Sequence, residues 1–208
     1  MKVRFVLVCE GASDAGLVPH LQVLCVHCGA SEAIGISPDF MRLPKPPGGA
    51  LKSRLEAALA LEPSAHLAFV HRDADSRDET PRIDEINVAA AGLTITSVPI
   101  VPVQATESWL LLDEIAIRSV VENPRGTVSL NLPAPHDVER MSNPKQRLKE
   151  VLSVASELRG RRLVKFKKAF GQHRAILLER LDATNLAQVP AWQRLVERTS
   201  ETIRGLRP

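Results

Sequence analysis

The sequence predicts an α/β fold, a mainly parallel Rossmann-like sheet flanked by helices. Two observations carry that reading. Apolar runs that read as strands alternate with helical periodicities through the first 122 residues, the pattern of βαβ units. Three of those runs also end in acids: Val6-Leu7-Val8-Cys9-Glu10-Gly11, Leu67-Ala68-Phe69-Val70-His71-Arg72-Asp73-Ala74-Asp75, and Ile100-Val101-Pro102-Val103-Gln104-Ala105-Thr106-Glu107. Strands buried on both faces read as continuous apolar runs, and open α/β sheets place their sites outside the carboxyl ends of such strands.

The elements follow in order. Residues 3–9 read as a strand, and Asp14 to Cys28 carries Leu17, Leu21, Leu24, Cys25 and Cys28 at helical spacing. A weaker extended stretch from Ala33 to Leu43 leads into the loop Pro44-Lys45-Pro46-Pro47-Gly48-Gly49. Leu51, Leu55, Ala58 and Leu59 mark a second helix that stops near Pro63. A strand over 66–71, a charged loop from Asp73 to Pro81 and a helix over about 82–92 come next. Leu93 to Val103 is rich in β-branched residues and reads as a strand. Trp109, Leu112, Ala116 and Val120 then share one face of a helix opened by Thr106 or Glu107.

Beyond residue 122 the pattern changes. Residues 123–144 are loop-like, and Asn143-Pro144 starts a helix with Leu148, Val151, Leu152, Ala155 and Leu158 on one face. Two more helical patterns lie around 174–182 and 189–204. The expected division is an α/β domain over 1–122 and a basic helical extension over 123–208, packed back as a cap.

The totals exclude several classes. A chain of 208 residues can bury a sizeable core. No apolar stretch approaches the roughly 18–20 residues that span a bilayer. The start, Met1-Lys2-Val3-Arg4-Phe5, runs directly into a strand without a small-residue cleavage site, which argues against a signal peptide. Three cysteines cannot all pair internally, which suits a reducing cytoplasm. There is no tyrosine, so a tyrosine nucleophile is excluded.

Carboxylates gathered at one sheet edge repel one another unless a cation sits among them, and Mg²⁺ prefers oxygen donors. Asp73 and Asp75, two apart on an extended strand end, would face one side and share a cation. Glu10 would complete the shell or act as a general base, and Glu107 would hold a second metal or orient the first. Two-metal sites of this kind serve phosphate chemistry.

These motifs, in this order, resemble the Toprim domain shared by topoisomerases, bacterial primases, small RNA maturases and the overcoming-lysogenization-defect nucleases. Glu10-Gly11-Ala12-Ser13-Asp14 is similar to the form found in the last of these and in small standalone Toprim proteins of bacterial defence loci. Glu107-Ser108-Trp109-Leu110-Leu111-Leu112-Asp113 resembles a segment those small proteins carry after the last strand. The likeness covers roughly residues 3–122 and extends weakly to Asn143-Pro144-Lys145. It implies a Mg²⁺- or Mn²⁺-dependent nuclease, an effector of phage defence, with Glu10, Asp73, Asp75 and Glu107 as catalytic and metal-binding residues. It also implies a separate ATPase as a regulating partner.

Between Glu157 and Glu179 there are no acids, but Arg159, Arg161, Arg162, Lys165, Lys167, Lys168, His173 and Arg174. Such a segment suits a phosphate backbone, whose neutralisation supplies most of the affinity; the alternative is a solvated basic surface. Phe166 and Phe170 interleave with the lysines, and core packing is the simpler expectation for both. Nucleases of this kind often use a lysine to stabilise charge on the reacting phosphate. Lys145, Lys165, Lys167 and Lys168 are candidates, and the resemblance favours Lys145. Arg72 would contact substrate phosphate or pair with a carboxylate, while His71 reads as structural. Trp109 reads as core; Asp113 faces away from Glu107, and a surface or supporting role stands level with a ligand role.

Other signals fall away. Cys25-Val26-His27-Cys28 has the spacing of half a zinc site without its other half, and buried free cysteines explain it better. Gly48-Gly49 lacks the Gly-Lys-Ser/Thr of a phosphate loop. The functions left in contention are a metal-dependent nuclease or phosphodiesterase, a silent or partner-activated Toprim module, and a phosphatase of small substrates. The exposed edges of a small parallel sheet also suit a homodimer.

Overall fold

The computed structural model describes residues 1–206. Its sheet has four parallel strands: β1 (Lys2–Val8), β2 (Glu32–Ile36), β3 (Leu67–His71) and β4 (Thr96–Ile100), in the order β2-β1-β3-β4. Register pairs Phe5 with Gly35 and Leu67, and Phe69 with Val98. Helices α1 (Val18–His27), α2 (Leu51–Leu61) and α3 (Thr80–Ala90) supply the crossovers. The fold is therefore α/β, with an all-parallel Rossmann-like sheet flanked by helices.

Chain contacts divide the molecule into two compact units. The first holds residues 1–72, 79–101 and 193–206, and so contains the whole sheet. Its core follows from the apolar runs. β3 is buried at every position, and Phe5 meets Phe69 edge to face with ring centroids 5.0 Å apart. α1 packs on β2, α2 on β1 and α3 on β4, burying Leu21, Leu55 and Ile86. A Cβ added at Gly35 would lie 2.1 Å from the Phe5 ring, so β2 carries glycine where that ring crosses it. Pro99 sits in β4, an edge strand where a missing N–H is tolerated.

The second unit holds residues 73–78 and 102–192 and is helical. It contains α4 (Glu107–Leu110), α5 (Glu114–Val120), α6 (Pro144–Ala155), α7 (Gly160–Lys168), α8 (Phe170–Glu179) and α9 (Ala183–Leu186); α10 runs over Pro190–Gly205. Trp109 and Trp192, both buried, meet edge to face at 5.5 Å.

Three expectations change here. The single helix from Thr106 to Val120 is two, because the Asp113 side chain accepts the Ala116 N–H at 2.8 Å and restarts the helix as its N-cap. The segment 160–168 is a helix that its dense charge concealed. The strand expected over 93–103 is confined to 96–100, and the residues from Pro102 on group with the helical unit.

Candidate functional site

In a sheet ordered β2-β1-β3-β4 the connections reverse direction between β1 and β3, and ligands of open α/β sheets bind outside the carboxyl ends at such a point. The residues following those two strands are Cys9-Glu10 and Arg72-Asp73.

Within the sheet unit, Arg72 ties this edge together. Its Nη1 lies 2.7 Å from Glu10 Oε1 and its Nη2 lies 3.1 Å from Glu85 Oε1. Arg54 donates to the Glu10 backbone carbonyl at 2.7 Å, fixing the turn after β1. The Glu10 side chain is half-exposed, while that of Arg72 is largely covered, with an Nε that makes no hydrogen bond. That Nε is itself buried, so the solvent-facing group of the pair is the Glu10 carboxylate. Beneath it His71 and Asp14, both buried, approach to 3.7 Å (Nδ1 to Oδ2), so His71 is an interior residue as expected.

Within the helical unit, Asp73 Oδ1 accepts the backbone N–H and the hydroxyl of Thr106, each at 2.9 Å. Thr106 immediately precedes α4 and is fully buried. Asp73 thus supplies from a distant segment the acceptor that a helix start lacks. Ala74 and Asp75 donate their backbone N–H groups to the carbonyls of Pro102 and Gln104. Asp75 has φ 53° and Gln104 φ 63°. The Asp-x-Asp pair therefore does not lie on an extended strand end: β3 stops at His71, and Asp75 turns in the left-handed region, which aspartate tolerates better than most residues. The period-two argument for a shared side does not apply to it.

Glu107 is 4% exposed, and its Oε1 accepts Arg174 Nε at 2.9 Å in a buried ion pair. Arg174 is 7% exposed and is no part of a basic surface; the acid that balances it lies 67 residues away along the chain, beyond reach of a local charge count. The other six cations of the segment, Arg159, Arg161, Arg162, Lys165, Lys167 and Lys168, are exposed. Lys145 is exposed in the first turn of α6.

The donor chemistry of Glu10, Asp73 and Asp75, carboxylate oxygen throughout, fits Mg²⁺ or Mn²⁺. Glu107 fits less well, because a ligand role would strip a buried arginine of its partner. Among the described residues no three His, Cys, Asp or Glu side chains are grouped so as to hold a metal ion. Sequence reasoning missed Thr106 and Glu85. Thr106 stood within the third acidic motif, but nothing local marks it as the partner of Asp73.

No protein-family model matches the chain, and no similar curated protein or solved structure was found. The Toprim resemblance thus rests on the motifs themselves.

Proposed function

We propose that this chain is a Mg²⁺- or Mn²⁺-dependent phosphodiesterase of the Toprim class that cleaves nucleic acid. The observation that carries the reading is the Glu10–Arg72 pair at 2.7 Å, on the edge where the order of the parallel sheet reverses. The Glu10 carboxylate there is half-exposed and able to leave Arg72, and Asp73 follows Arg72 directly in the chain.

In this reading Glu10, Asp73 and Asp75 are the metal ligands. A bound divalent cation supplies charge to polarise the phosphodiester and lowers the pKa of attacking water. Arg72, released by Glu10, turns to a phosphate oxygen. Thr106 holds the Asp73 carboxylate in one orientation through two hydrogen bonds. Glu107, locked to Arg174, positions the α4 start and touches no substrate. Lys145 is the proposed cation for the reacting phosphate, and Arg159 to Lys168 bind the strand.

A second reading shares the same residues. Glu10 and Glu107 each already hold an arginine, the condition expected of an effector that a partner ATPase must open. Among the described residues no helix is long and apolar enough to cross a membrane, and the proposed setting is cytoplasmic phage defence.

Incubation of plasmid DNA and structured RNA with Mg²⁺ or Mn²⁺ tests the proposal. Wild type cuts, and Asp73→Asn and Asp75→Asn do not. Asp73→Asn is the informative variant, since the amide oxygen still accepts from Thr106 while the charge is gone. Metal binding by calorimetry without cutting favours the partner-dependent module. Hydrolysis of small phosphomonoesters but of no polynucleotide favours a phosphatase. No metal binding at all overturns the site.

A further inference from the structure

Phe166 and Phe170 are not core residues. Both are partly buried and line a groove of about 500 Å³ within the helical unit, together with Leu152, Lys149, Lys167 and His173. That volume lies in the range of about 300–1,000 Å³ typical of ligand sites. Phe166 stacks on His173 with ring centroids 4.3 Å apart and planes 25° from parallel. Burial lowers the pKa of His173, which favours the neutral imidazole, and its Nδ1 makes no hydrogen bond among the described residues. Lys149 Nζ lies 5.1 Å from the Phe170 ring centroid. The carboxylate on the rim, Glu150, accepts from Gln146 and sits 3.8 Å from Arg147.

The helix that carries Phe166 is unusual. α7 has no buried residue among those described, so packing alone does not explain its apolar positions. Arg159, Arg161, Arg162, Lys165, Lys167 and Lys168 crowd into ten residues, all exposed, and none makes an ion pair with the described residues. Aromatic rings beside an unbalanced run of cations match the two components of a single polynucleotide strand: base faces, which stack, and phosphates, which neutralise. A duplex offers phosphates but hides its base faces.

We propose that this groove is a single-strand-binding site, with nucleobases stacked on Phe166 and Phe170 and phosphates held by α7 and Lys149. The proposal rests on the nucleic-acid reading above and narrows its substrate to unpaired strands.

The test is fluorescence anisotropy of the full chain with a labelled 15-nucleotide DNA, the same RNA sequence, and the corresponding duplexes, all in EDTA so that no turnover intervenes. The single strands are expected to bind at least about tenfold tighter than duplex, and Phe166→Leu or Phe170→Leu to weaken them by roughly 5- to 100-fold with duplex binding unchanged. Leucine keeps the apolar contact and removes the π face. Phe166→Tyr keeps the ring and binds as wild type. Lys165→Ala with Lys167→Ala lowers affinity for every strand and flattens its salt dependence. Equal affinity for duplex, leucine variants that bind as wild type, or a tyrosine variant as weak as the leucine one overturns the proposal. The DNA and RNA arms show which sugar the site accepts. Single-strand binding without cleavage in Mg²⁺ sinks a phosphodiesterase that acts without a partner and leaves the groove standing; cleavage with no single-strand preference does the reverse.

Discussion

Two of the molecule's glutamate–arginine pairs, Glu10 with Arg72 and Glu107 with Arg174, share their chemistry and differ in their surroundings. In the sheet unit, Arg72 meets Glu10 with the carboxylate side chain 51% exposed; in the helical unit, Arg174 meets Glu107 with both side chains under 10% exposed. Water reaches the Glu10 carboxylate, and Arg72, though largely covered, keeps Glu85 as a second partner, so the first pair can open at small cost. Nothing can replace the partners of the second, and breaking it strands a charge in the interior. Both glutamates follow an apolar run, and sequence pattern gave them the same metal-binding role. Burial separates an acid that can change partners from one that holds a fold together.

The largest effect that tests this contrast is at the buried pair. Arg174→Ala or Glu107→Ala is expected to cost about 3–5 kcal/mol, lowering the melting temperature of a chain this size by about 6–20 °C. The double-mutant cycle should give a coupling energy well above that of Arg72 and Glu10. Equal coupling at the two pairs would erase the distinction.

The next effect is at Asp73. Its replacement by alanine leaves the buried Thr106 N–H without its acceptor, a loss of about 1–3 kcal/mol in denaturant unfolding, whereas Asp73→Asn should be close to wild type in stability. A similar penalty for both variants would show that the charge, not the hydrogen bonds, anchors α4. At Glu10 the expectation inverts. Glu10→Gln shifts stability by less than about 1 kcal/mol and abolishes metal-dependent cleavage. A strongly destabilised Glu10→Gln would make this pair structural too.

How much of this was legible in the sequence depends on range. The sheet was legible because burial on two faces is written locally, as in Leu67-Ala68-Phe69-Val70. The positions of Glu10 and Asp73 after β1 and β3 followed from the same runs. What failed was whatever depended on distant partners. Arg174 looked unbalanced because Glu107 lies 67 residues away. Asp75 looked extended because its turn is set by backbone bonding to Gln104. Phe166 and Phe170 looked like core because apolar spacing cannot say whether anything covers the face it marks. α7 was missed because its sequence, Gly-Arg-Arg-Leu-Val-Lys-Phe-Lys-Lys, reads first as charge and only second as an amphipathic helix.

The smallest expected effect concerns His173, and it sharpens the same contrast between groups that exchange with water and groups that do not. Burial holds its pKa below the ordinary 6.5, against a weaker opposing pull from Glu122. Above pH 6.5 the imidazole is neutral in both the folded and the unfolded chain and contributes no pH dependence. Below 6.5 the unfolded chain takes up a proton that the folded chain resists, so stability falls with pH until the depressed folded pKa is passed. Urea midpoints measured from pH 8 to pH 5 should therefore decline below about pH 6.5 in wild type, and decline less in His173→Phe, which keeps an aromatic ring against Phe166. Identical declines in the two proteins would place the proton uptake on another group, and would mean that the face of Phe166 toward His173 is wetter than its stacking geometry implies.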